Sequence, residues 1–174
     1  MKITQEELKH IKNEIPDVFT LISNDFFDLT DYINQHRYKR IAFCLWDHRL
    51  KEIELDLIYS KSEKELRLRQ NNFIQLLNAL YVENEVFIFK YNNWKKKIVI
   101  EKPYSKQKLF ENSNLNNLSA DGGGGFNLII PKYKAILEMG FDWTGNLVYK
   151  ENKNSDELFE KIKNSNLYII EYEN

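Results

Sequence analysis

The chain has 174 residues, 43% hydrophobic and 14% aromatic, with 25 basic residues set against 26 acidic ones. This length suits one domain or two small ones sharing a core, and the apolar content excludes a disordered chain. A net charge of −1 excludes a global pull toward nucleic acid or anionic membrane, so any electrostatic recognition has to be local.

The first predicted element is a helix. Thr4 followed by Glu7 makes a capping box, Ile3 and Leu8 make a hydrophobic staple, and Leu8, Ile11 and Ile15 share one face until Pro16 stops the pattern. A second helix is predicted from a cap at Ser23 or Asn24, with Phe26, Leu29 and Ile33 inward. The run RIAFCLWDHRLKEIELDLIYS then alternates with period two on both sides of a polar turn, which predicts a hairpin. Parity requires an odd loop, so that Ile41, Phe43 and Leu45 share a face with Ile53, Leu55 and Leu57. Ser62 and Glu65 open a long helix with Leu66, Phe73, Leu77 and Leu80 as its buried stripe. EVFIFKY and WKKKIVIE follow as strands about an Asn92–Asn93 turn. SKQKLFE is a short helix. The segment from Lys102 to Gly125 otherwise lacks periodicity. Beyond it, FNLIIP, KAILEMGF and NLVYKE are strands, with a loop at Thr144–Asn146 that would set Phe141 opposite Tyr149 and Trp143 opposite Leu147. Ser155 caps a short helix whose charges suit its dipole, and LYIIEY closes the pattern as a strand.

These elements predict an α+β fold, mainly antiparallel sheet covered by helices, with an N-terminal helical pair. Hairpin, helix and strand occur twice, at about 41–91 and 135–172, as two topologically similar modules. The implied organisation is 1–101 for the helices and first module, 102–125 for a polar connector, and 126–174 for the second module, sharing one compact unit.

Four of the six glycines stand together at Gly122–Gly125. A phosphate-binding loop needs glycines after a strand and before a helix, with a following Lys and Ser/Thr. Here Phe126 and Asn127 follow and a strand comes next, so the run is read as a pliable join. Cys44 lies in an apolar run and is read as a packed thiol. It is the sole cysteine, which excludes an intramolecular disulfide and a multi-cysteine metal site. No HExxH or other paired-histidine pattern indicates zinc.

Three features remain as candidate sites. Glu52, Glu54 and Asp56 would line one face of a strand, where carboxylates can hold a hard cation or act as acid and base. Beside them Asp47 and His48, with Glu52 across the turn, could form an Asp-His-Glu cluster. On a strand, Cys44 would lie about 13 Å from His48, too far for a dyad. Lysines 95–108 interleave with Tyr91, Trp94 and Tyr104, as single-stranded nucleic-acid surfaces do. The lysines also suit a protected edge strand, and the lack of arginine and of an RNP-like motif points away from nucleic acid. Asp142 and Trp143, in the turn FDWTGN, offer a protein contact residue or a tryptophan folded inward.

No cofactor motif and no nucleophile beside a base are present, so the sequence implies no cofactor and leans away from an enzyme. The N-terminus lacks an apolar leader core and no run reaches the ~20 residues of a membrane span, which gives the expectation of a cytoplasmic chain without membrane association. The function this points to is a non-enzymatic protein-binding module in the style of small bacterial immunity or accessory proteins that occlude a partner. Its contact surface would involve Asp142, Trp143, Glu52, Glu54 and Asp56. The competing expectation is a metal-dependent hydrolase or nuclease using the Glu52/Glu54/Asp56 face.

Overall fold

A computed structural model describes residues 2–23, 29–59, 62–92, 97–112, 126–139 and 142–172. The predicted join at Gly122–Gly125 lies outside the described residues, as do Asn24, Phe26, Trp94, Lys95, Lys96 and Phe141.

The first helix, α1 (Gln5–Glu14), is fixed by its cap. Thr4 Oγ1 accepts from the Glu7 amide at 3.1 Å while the Glu7 carboxylate accepts from the Thr4 amide at 2.8 Å, and Pro16 cannot extend the helix. Two short helices follow, α2 (Val18–Ser23) and α3 (Thr30–Gln35). Ser23 therefore ends a helix instead of opening one. Its hydroxyl donates back to the Phe19 carbonyl, the bond a serine makes within a helix and not at an N-cap.

Seven strands form one sheet: β1 (Lys39–Cys44), β2 (Phe87–Asn92), β3 (Lys97–Glu101), β4 (Asn127–Ile130), β5 (Ala135–Met139), β6 (Thr144–Tyr149) and β7 (Tyr168–Glu171). Their order is β3-β2-β4-β5-β6-β1-β7, and every neighbouring pair is antiparallel. The remaining helices are α4 (Glu63–Glu83), α5 (Lys106–Asn112) and α6 (Ser155–Lys163). Paired residues point to one side of a sheet, so the register separates two faces. Phe43, Leu128, Leu137 and Leu147 pack with Phe73, Leu76, Leu77 and Leu80 of α4, Leu109 of α5, and Leu158 and Ile162 of α6. Phe87, Ile129, Ile136 and Val148 pack on the other side with Ile11, Val18, Leu21 and Ile33 of the first three helices and with Ile15 just after α1. The molecule is thus an antiparallel sheet between two helical layers.

Three sequence expectations are corrected. Residues 52–58 are a 3-10 helix, not a strand. β1 has only two edges, and β6 and β7 occupy them, so no place remains for a local hairpin partner. This removes the first hairpin–helix–strand module, whereas β5, β6, α6 and β7 do follow that order. Second, the β5–β6 register sets Leu137 opposite Leu147 and Ala135 opposite Tyr149, so the turn centres on Asp142. There Asp142 Oδ1 accepts from the Thr144 amide at 3.2 Å, an Asx turn. Gly145 consequently lies inside a strand, where an added Cβ would fall 2.0 Å from Cζ of Phe43. Third, Asn92 pairs with Lys97, so the β2–β3 connection is longer than the predicted two-residue turn.

Candidate functional site

The helices on the α1–α3 side leave one end of the sheet uncovered by their apolar cluster. Arg40, Ala42 and Cys44 of β1 alternate onto that side, as do Thr144 and Asn146 of β6 and Ile170 of β7. The segment 45–59 forms the rim. Two adjoining cavities, of about 250 and 680 Å³, open there and share Arg49 and Tyr172 as lining residues.

The rim segment takes its shape from tethers. Its 3-10 helix, Glu52–Ile58, is seven residues long with no buried residue, whereas such helices seldom exceed three or four residues. Glu54 is the first tether: one carboxylate oxygen accepts from the Lys51 amide at 2.9 Å and the other meets His48 Nε2 at 3.0 Å. His48 Nδ1 contacts Asp47 Oδ1 at 2.7 Å. At the far end, the Ile58 carbonyl accepts from Trp143 Nε1 at 3.0 Å and from Arg69 Nη1 at 2.8 Å. The Asp-His-Glu cluster therefore exists, but through Glu54 instead of Glu52. Hydrogen bonds to Asp47 and then Glu54 raise the His48 pKa above its ordinary value. Reciprocally, His48 lowers that of Asp47, and the Lys51 amide followed by His48 lowers that of Glu54.

The predicted acidic face does not form. In a 3-10 helix, with about three residues per turn, residues two apart diverge widely, so Glu52, Glu54 and Asp56 point in three directions. Among the described residues, no group of three His, Cys, Asp or Glu side chains is placed to hold a metal ion. Asp142 is half-buried and shapes its turn, while Trp143 is only 1% exposed. Trp143 thus supports the rim from beneath and offers no surface to a partner. Cys44 and His48 line one cavity, yet the thiol donates to the Trp46 carbonyl at 3.0 Å and burial pushes its pKa up. That is a protected thiol, not an activated one.

The lysine strip is partly neutralised where it is described. Lys102 bridges Glu7 and Glu85, and Lys108 pairs with Glu111 at 3.1 Å. Among the described residues, no helix is long and apolar enough to cross a membrane.

Residues that sequence inspection passed over are Arg40, Arg49 and Tyr172. The Arg40 guanidinium lies 4.1 Å over the Tyr172 ring and that of Arg49 lies 4.0 Å over the same ring. Arg40 Nη2 also donates to Asn146 Oδ1 at 3.2 Å and to the Tyr172 hydroxyl at 3.1 Å, and that hydroxyl donates to Asn146. The available signal was an arginine alternating with Ala42 and Cys44 on a strand face otherwise built of apolar side chains.

The fold and site define the class as far as a helix-flanked antiparallel sheet with a tethered rim. No protein-family model, curated protein or solved structure matches the chain.

Proposed function

We propose that the chain is a non-enzymatic protein-binding module that presents the rim segment Glu52–Tyr59 to a protein partner. One observation carries this reading. Ile53 is 90% exposed, Leu55 45%, Leu57 41% and Tyr59 56%, all within one continuous segment of defined conformation. Single exposed apolar residues are ordinary on protein surfaces; a cluster on one ordered segment is the pattern of a contact surface. The tethers at Glu54 and Ile58 support the same reading, since a segment already held in shape loses less conformational entropy on binding. Glu52 and Asp56 are interspersed with the apolar groups along the segment, so the complementary partner surface combines apolar and basic groups.

A photoreactive amino acid at position 53 tests the proposal, with a second at exposed Lys153 as control. The expected result is one crosslinked protein from position 53, none from position 153, and loss of that product when Leu57→Asp and Tyr59→Ala are added. A product equally strong from both positions would defeat the assignment of this surface.

A further inference from the structure

We infer that the groove between α3 and the rim segment binds a small organic anion, a carboxylate or phosphate ester carrying a ring or aliphatic body. This goes beyond the protein contact proposed above and uses different side chains. The cationic feature is built, not incidental. The guanidinium groups of Arg40 and Arg49 both lie over the Tyr172 ring, 4.1 and 4.0 Å from its centre, and Arg40 is oriented by Asn146 and the Tyr172 hydroxyl. A guanidinium offers its N–H donors as a planar fork, the geometry that grips carboxylate and phosphate oxygens in pairs.

Arg49 is the available donor. It lines both cavities, and among the described residues it contacts the face of the Tyr172 ring and forms no ion pair. The acidic groups lining the two cavities are Asp142 and Glu171, and neither forms an ion pair with Arg49. Lys39, also at the larger cavity, is already taken by Glu151 at 2.8 Å. The body of the ligand is indicated by the remaining wall. The larger cavity, about 680 Å³, carries Ile33 and Tyr38 and falls in the size range of sites for small organic molecules. An inorganic ion would leave that wall unused.

Calorimetric titration of the full chain with phenyl phosphate, benzoate and inorganic phosphate tests the inference. The expected result is saturable binding of phenyl phosphate or benzoate with Kd on the order of 1 mM or tighter, weakening with added salt. The tighter of the two identifies the preferred anion. Arg49→Gln should weaken binding at least about tenfold, and Arg49→Lys should restore part of it, since charge returns without the planar fork. Lys153→Gln should leave it unchanged. Arg49 is exposed, so its variants should fold, which circular dichroism checks. The inference is overturned if neither organic anion saturates below about 10 mM, if Arg49→Gln binds as well as the parent chain, or if inorganic phosphate binds as tightly as phenyl phosphate.

Discussion

Trp143 and Gly145 show how a side chain's place is settled by what approaches it. Trp143 adopts φ 62, a left-handed conformation that costs an ordinary residue about 1–2 kcal/mol, yet it is one of the largest fully buried side chains. Burial of the indole and its bond to Ile58 offset that strain. Trp143→Ala should therefore destabilise the fold by about 3–5 kcal/mol. Trp143→Phe should cost less, because the Ile58 carbonyl keeps its bond from Arg69. Chemical denaturation measures both; equal losses would mean that ring volume is irrelevant. Gly145 makes the opposite case, since the Phe43 ring occupies the space a Cβ would need. Gly145→Ala should cost about 1–3 kcal/mol from overpacking. Adding Phe43→Leu should make the pair less damaging than the sum of the two single changes, a coupling that a double-mutant cycle reads directly. From sequence, Gly145 looked like a turn glycine and Trp143 like either a contact or a core residue. Both depend on a register set by strands distant in the chain, so neither was decidable from neighbours.

Among the elements, α1 and α4 were legible because their caps are local, whereas Ser23 closes a helix and Ser155 lies inside one after Asn154. Thr4 and Glu7 sit three residues apart and do what that spacing suggests; Ser62 Oγ likewise accepts from the Glu65 amide. The rim segment was not legible, because its period-two alternation matched a strand while both sides of β1 were taken by β6 and β7. Its shape depends instead on charged tethers, which makes it sensitive to pH. His48 has its pKa raised above the ordinary 6.5, so its contribution is full below pH 6.5 and is lost as pH rises through the folded value. Asp47 and Glu54 are held below their ordinary 3.8 and 4.5. Their contribution is present above those values and is lost as pH falls through the folded ones. The segment should accordingly be best ordered between about pH 4.5 and 6.5. Amide exchange of residues 53–58, corrected for intrinsic rates, should be slowest there and faster at pH 9. His48→Ala should flatten the alkaline limb, and an unchanged limb would remove His48 from this role.

At the scale of the molecule, chain order and sheet order part company. β1 comes from the first half of the sequence and lies between β6 and β7 from the second, and β2 pairs with β4. Hydrophobic periodicity revealed the antiparallel, helix-covered class, because alternation and helical stripes survive any strand order. It could not reveal the order itself, nor the meeting of Arg40, Arg49 and Tyr172, which depends on that order. Strands from both halves contribute to each apolar layer, so heat or urea should unfold the described sheet in one transition. Leu77→Ala on one layer and Ile136→Val on the other should each destabilise the same single transition, by about 2–5 and 0.5–1.5 kcal/mol respectively. Two separable transitions, each sensitive to one substitution alone, would show the layers to be independent.

The crowded position of β1 also has a consequence for the growing chain. Its permanent neighbours are translated about 100 residues after it, and contacts that distant form slowly. Until then the strand-like stretch EIELDLI is the nearest apolar, alternating sequence available. We expect nascent chains to hold a provisional hairpin between residues 41–45 and 53–57, exchanged later for β6 and β7. In a Cys44→Ser background, Phe43→Cys and Leu57→Cys should crosslink in ribosome-arrested chains ending before β6 and cease to do so in the finished protein. Absence of that crosslink at every arrested length would show that the alternation is never used. If the crosslink does form, the residues that resemble a strand in the sequence are a temporary guard for an unpartnered edge, released as a contact surface once assembly is complete.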